Sequence, residues 1–164
     1  MKLLSYLHEG REGWGVVIGD AVAPLAARTG HATLVDFIAS ADYARRDALV
    51  VGLKGELPLA TLQFLPVIPR PEKIVCAVRN YMDHHQEVLA AGMQRELSEQ
   101  PPIFLRVWRS QTAHGAPIVR PRVSESLDWE GELAVIIGQG GRDIPEDKAY
   151  AHVAGYSIYN DGSV

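Results

Sequence analysis

Residues 127–133 read Leu-Asp-Trp-Glu-Gly-Glu-Leu and run straight into the apolar segment Ala134-Val135-Ile136-Ile137-Gly138. Alternate residues of a strand point to one face, so Asp128, Glu130 and Glu132 share a face if this stretch is extended. Three carboxylates side by side repel one another unless a positive charge lies among them. Hard divalent cations meet that need, because carboxylate oxygens suit Mg, Mn and Ca. The competing reading is a solvated strand face with salt-bridged acids, since Glu-x-Glu is a common pattern. A second apolar stretch, 153–159, ends in Asn160-Asp161 and places another carboxylate at a strand terminus.

The 164 residues give room for one ordinary domain, or for a small domain plus part of another. A net charge of −4 and the lack of any basic run give no electrostatic reason to expect nucleic acid. No apolar run approaches the ~20 residues that span a bilayer. The N-terminus meets charge too soon for the apolar core of a signal peptide, so a cytoplasmic protein is expected. The single cysteine, Cys76, lies in the apolar run Ile74-Val75-Cys76-Ala77-Val78 and reads as a buried structural thiol.

Taken in order, 3–7, 14–18 and 21–24 read as a small meander with turns over Glu9-Gly10-Arg11-Glu12-Gly13 and at Gly19-Asp20. Two helical patterns follow, the first capped by Thr33 with Leu34, Phe37 and Ile38 on one face, the second opening at Ala41-Asp42. His31, beside Gly30 in a turn, reads as solvent-exposed. Three prolines within 66–71 mark a boundary. Beyond it, a strand over 73–78 leads to Asn80-Tyr81-Met82-Asp83-His84-His85-Gln86-Glu87, where Asp83 suits an N-cap and Gly92 a C′ position, giving a helix over 84–91. His84 and Glu87, three apart, lie on one face within contact of each other. A histidine oriented by a carboxylate is suited to act as a general base on water; the alternative is a helix start whose polar residues only solvate it. His85 reads as surface. Further strands are expected over 101–107, entered through prolines, and over 115–119, and a short helix over 145–152 ends at His152.

These motifs, Asn80-Tyr81-Met82-Asp83-His84, Pro102-Ile103-Phe104-Leu105, the 127–138 stretch and Tyr156-Ser157-Ile158-Tyr159-Asn160-Asp161, make residues 73–164 resemble the fumarylacetoacetate hydrolase family. The leading residues resemble the small N-terminal domain that many bacterial members carry. The resemblance implies an α+β, β-rich fold: a small N-terminal meander with helices over 1–70, then the first part of the catalytic β-roll over 71–164. It implies a divalent metal, usually Mg or Mn with Ca also suited, held by Glu130, Glu132 and Asp161. It implies that His84 is the general base and Glu87 its partner, with Tyr81 and Arg106 placed against the substrate's carboxylate or carbonyl. Family members hydrolyse a carbon–carbon bond of β-dicarbonyl acids such as acylpyruvates, decarboxylate, or isomerise an enol and its ketone, and a homodimer is implied. A catalytically silent fragment serving as an oligomerising module is the non-enzymatic alternative.

Two departures stand out. Where the family commonly shows lysine and proline, this sequence has Arg106 and Val107, and arginine does not replace lysine freely at a bidentate site. The family also usually continues past Asp161 with an arginine, an aspartate and the remainder of the β-roll, so a partial chain is expected.

Overall fold

The structure, a computed structural model, describes residues 1–78, 80–92 and 100–164. The fold is α+β and rich in antiparallel strands. Two compact units are present, Met1–Pro69 with Thr112–Val164, and Arg70–Gln111.

In the first unit the chain opens with β1 (Leu3–His8), β2 (Arg11–Ile18) and β3 (Ala21–Pro24), then α1 (Ala26–Thr29), α2 (Leu34–Ile38) and α3 (Arg46–Leu49). Two short strands, β4 (Leu57–Pro58) and β5 (Gln63–Phe64), complete a five-stranded sheet of order β4-β3-β2-β1-β5. The first hairpin turns through Glu9 and Gly10 at φ 50° and 76°, between the paired residues His8 and Arg11. Two positive φ values in a two-residue turn match the right-handed twist of the flanking strands. At Gly15 the sheet leaves no space for a side chain, because a Cβ there would lie 2.3 Å from the Ala23 carbonyl oxygen.

Apolar residues fill both faces of this sheet. On one side Trp14, Val16, Ala23 and Leu25 pack with Leu34 and Phe37; on the other Leu4, Tyr6, Val22 and Leu62 form a smaller cluster. Thr33 caps helix α2 as the sequence predicts, and the cap is a full capping box: Thr33 Oγ accepts from the Asp36 N–H, and the Asp36 carboxylate accepts from the Thr33 N–H. That cap delivers Phe37 onto Trp14 with ring centroids 4.9 Å apart. The second helical pattern breaks into a 3₁₀ turn over Ala41–Arg45 followed by the four residues of α3. His31 is not a free surface residue: its Nε2 lies 3.0 Å from Asp42, its ring sits against Phe37, and its carbonyl accepts from Trp14 Nε1 at 2.9 Å.

The same unit contains the hairpin of β8 (Gly131–Ile137) and β9 (Val153–Asn160). The N-terminal helices sit against its loop end. Tyr43 donates to the Ala154 carbonyl, and a Cβ on Gly138 would meet Ile38 at 3.2 Å and the Ala154 Cβ at 2.8 Å. His152 closes the hairpin loop through Nδ1, 2.8 Å from the Gln139 carbonyl oxygen, after a 3₁₀ stretch over Glu146–His152 in place of the expected helix. Residues 115–119 form no strand: Gly115 has φ 79°, Ala116 closes a turn onto Ala113, and Pro117 has no N–H to offer a ladder. Nor is the 134–137 segment buried on both sides. Leu133, Val135 and Ile137 of β8, with Tyr156 and Ile158 of β9, face outward and are about half or more exposed.

The second unit pairs β6 (Ile74–Ala77) with β7 (Ile103–Arg106) and carries α4 (Met82–Ala90). The helix starts earlier than the Asp83 cap would put it. Tyr81 is its N-cap and supplies no side-chain cap, while Gly92, at φ 80°, follows the C-cap residue Ala91 as predicted. His85 is buried, not on the surface, because it shares the inward face of α4 with Val88, three residues on. Cys76 is only partly buried, alternating with the exposed Val75 on an open two-stranded sheet. Among the described residues no helix is long and apolar enough to cross a membrane.

Hydrogen bonds from His31 first, and then Arg45, hold the Asp42 carboxyl below its ordinary pKa of 3.8. A carboxyl that ionises more easily in the folded state stabilises the fold fully above its unfolded pKa, and that contribution disappears as pH falls through the lower folded value. Comparing thermal melts of the unchanged chain and Asp42→Asn should therefore show a gap well above pH 3.8 that closes on acidification. A gap that is constant with pH would show that the ion pair contributes nothing.

Candidate metal site and general-base pair

The register of β8 and β9 fixes where the acids fall. Glu132 opposes Tyr159, Gly131 opposes Asn160, and an isolated bridge joins Asp128 to Ser163. Glu130 therefore opposes Asp161, and the Asp161 N–H donates to the Glu130 carbonyl at 2.8 Å. Residues two apart share a face, so Asp128, Glu130 and Glu132 lie on the same face as Asp161 and Ser163. The outward apolar residues described above occupy the other face. Along β8 the two classes alternate without exception: Glu132, Ala134 and Ile136 are half-buried, and Gly131, Leu133, Val135 and Ile137 are exposed.

The end of the ladder is modified around Glu130. A regular antiparallel pair would send the Glu130 N–H to the Asp161 carbonyl; here it donates to the Asn160 side-chain oxygen at 2.9 Å. The Glu130 carboxylate in turn accepts from the Ser163 hydroxyl at 2.6 Å. Asp161 is buried, at 6% exposure. Burying a carboxylate is costly unless it is compensated by hydrogen bonds, an opposite charge or a cation. Gly162 keeps this corner tight, since a Cβ there would lie 3.2 Å from the Asp128 carbonyl oxygen.

The donor chemistry of Glu130, Glu132 and Asp161, all hard anionic oxygens projected to one face, fits a divalent cation of the Mg, Mn or Ca type. The backbone brings these three residues to one end of one ladder. As placed, however, the side chains do not converge: among the described residues no three His, Cys, Asp or Glu side chains are gathered closely enough to hold a metal ion. The Glu130 carboxylate accepts from Ser163 through one of its two oxygens.

His84 and Glu87 belong to the second unit. They lie on the outer face of α4, with His84 Nδ1 3.4 Å from a Glu87 carboxylate oxygen. This is a long contact between solvated side chains, and it engages the Nδ1 side of the ring. Tyr81 is half-exposed at the N-cap of α4, and the Arg106 guanidinium at the end of β7 lies 5.5 Å from the Phe104 ring centroid. The roles of Asn160 and Ser163 were not apparent from the sequence. Both act across the β8–β9 hairpin, 30 and 33 residues from Glu130. The one sequence signal was their position flanking Asp161.

Comparison with known proteins bears on these residues. The family described as "Fumarylacetoacetate (FAA) hydrolase C-terminal" matches residues 73–164. Human mitochondrial oxaloacetate tautomerase FAHD2A is 36% identical over 151 residues, which is 92% of this chain and 46% of that protein. Oxaloacetate tautomerase YisK of Bacillus subtilis is 43% identical over 97 residues, 57% of this chain and 31% of that protein. The chain thus spans less than half the length of these relatives. The crystal structure of maleylpyruvate hydrolase from Sphingobium sp. SYK-6, in complex with manganese(II) and pyruvate, superposes with a TM-score of 0.76 at 27% identity, covering 100% of this chain and 59% of that one.

Asn160→Ala should remove the acceptor for the Glu130 N–H and cost about 1 kcal/mol of stability. Hydrogen exchange should show faster loss of protection at the Glu130 amide than at Leu133, whereas Asn160→Asp, which keeps an acceptor, should leave it protected. Equal protection at Glu130 in the alanine variant would show that the side chain does not hold this strand.

Proposed function

As the chain belongs to the fumarylacetoacetate hydrolase family, we propose that it is part of a divalent-metal-dependent enzyme cleaving a carbon–carbon bond in β-dicarbonyl acids of the acylpyruvate type. The observation that carries this reading is the placement of Glu130, Glu132 and Asp161 on one face at one end of the β8–β9 ladder. In it, these three residues are the ligands of Mg or Mn. When bound, the metal polarises the carbonyl and stabilises the negative charge of the enolate that leaves.

The remaining work falls to His84 and Glu87. Hydrolysis needs a water stripped of a proton as it adds to the distal carbonyl carbon. His84 takes that proton, and Glu87 holds the ring and offsets the charge it acquires. The carbon–carbon bond then breaks with its electron pair going to the dicarbonyl fragment, which is protonated to a 2-oxo acid, and the other fragment leaves as a carboxylic acid. Tyr81 and Arg106 are assigned to the substrate's carboxylate or carbonyl, where a guanidinium offers two parallel donors. A homodimer acting on soluble small-molecule acids is part of the same reading.

A second reading, keto–enol tautomerisation of an oxaloacetate-type acid, is favoured by the oxaloacetate tautomerases among the relatives. It needs the same metal and a proton moved between carbon and oxygen, but no water attack.

Glu132→Gln should abolish saturable Mn²⁺ binding and metal-dependent turnover; full activity in that variant would sink both readings. His84→Ala separates them. Under the hydrolase reading, acylpyruvate cleavage should fall about 100- to 10,000-fold, measured by loss of the dicarbonyl absorbance. If cleavage never occurs while oxaloacetate tautomerisation proceeds, the second reading replaces the first.

A further inference from the structure

We infer that Ser163 is a positioning residue for the Glu130 carboxylate, engaging one of its oxygens so that the other is presented to the cation. This rests on the metal reading above. The Ser163 hydroxyl donates to Glu130 Oε1 at 2.6 Å, a short bond of the kind a carboxylate acceptor gives. Only Oε1 is used by it, so a ligand oxygen remains on the same carboxylate.

The hydroxyl is held in place by the backbone. Ser163 exchanges both main-chain hydrogen bonds with Asp128, at 2.9 and 3.2 Å, and so continues the β8–β9 register by three residues. That register puts Ser163 on the carboxylate face, diagonal to Glu130, where cross-strand side chains reach one another. Asn160 fixes the Glu130 main chain from the same strand. Glu130 is thus gripped twice, at its N–H by Asn160 and at its carboxylate by Ser163. A glutamate otherwise free to rotate about three side-chain bonds gains a defined direction. In metal sites the groups that hydrogen-bond a ligating carboxylate set its orientation, and losing one typically costs 10- to 100-fold in metal affinity.

Calorimetric Mn²⁺ titration of this chain, with thermal melts run on every variant, tests the inference. Ser163→Ala should bind Mn²⁺ about tenfold more weakly at an unchanged melting temperature. Ser163→Thr, which keeps the hydroxyl, should restore affinity. Ser163→Val, which has the shape of threonine without the hydroxyl, should not, and this pair remains informative if the alanine variant folds poorly. In a Glu130→Gln background, Ser163→Ala should bring no further loss, because the group it orients is no longer a ligand. Equal affinity in the alanine and unchanged chains, or threonine and valine behaving alike, would overturn the role of Ser163 and leave the metal site standing. No saturable binding in the unchanged chain would overturn the metal reading and this inference with it.

Discussion

The pairing of β8 with β9 is the constraint on which the candidate metal site depends. One ladder sets which residues share a face, and every acid of interest is placed by it: Glu130 opposite Asp161, Glu132 two residues along, Asp128 against Ser163. Main-chain hydrogen bonds do this placing, so the identity of neighbouring side chains matters less than their parity. The carboxylates do not need to attract one another to be brought together, which is fortunate, since at this spacing they repel. The backbone does what the side chains cannot.

The N-terminal module is tied to the same hairpin at its opposite end. Trp14 and Phe37 are the largest fully buried side chains of the apolar core and stack on one another, and the Thr33 cap aims Phe37 into it. The helical stretch that follows reaches β9 through Tyr43 and reaches Gly138 through Ile38. Packing therefore holds the loop end of the hairpin, while short polar contacts from Asn160 and Ser163 hold the end with the acids. A rigid core anchors one end, and hydrogen bonds that ligands can reorganise occupy the other.

Much of this was legible in the sequence where the governing interaction is local. The Thr33 cap and the Gly92 helix stop each depend on residues within four positions, and each is found as expected; the first hairpin turn is tighter than the glycines at 10 and 13 suggest, because Arg11–Gly13 already pair with β1. The alternation that puts Glu130 and Glu132 on one face was legible for the same reason. What was not legible depends on distant partners. His31 looked free because Asp42 and Phe37 are set by tertiary packing. His85 looked exposed because the inward face of a short polar helix carries little apolar signal. The 115–119 stretch has strand-like composition, but composition cannot supply a partner strand. Asn160 and Ser163 were hidden because their hydrogen bonds cross more than thirty residues of sequence or close to it.

The strict alternation along β8 and β9 also sets what length changes this region tolerates. Adding or losing one residue within β8 would put its carboxylates out of phase with Asp161 or with the rest of the strand, and bring leucine, valine and isoleucine to the place where oxygen donors are wanted. Changes in steps of two would keep the chemistry facing correctly but slide Glu130 away from Asn160. The loop from Gly138 to His152 has no such parity to keep, apart from its closure through Gln139 and His152. The shift between Ile136 and Ile137 already absorbs one irregularity on the loop side of the acids. Insertions and deletions in this hairpin should therefore accumulate beyond Ile137, with none between Asp128 and Ile136.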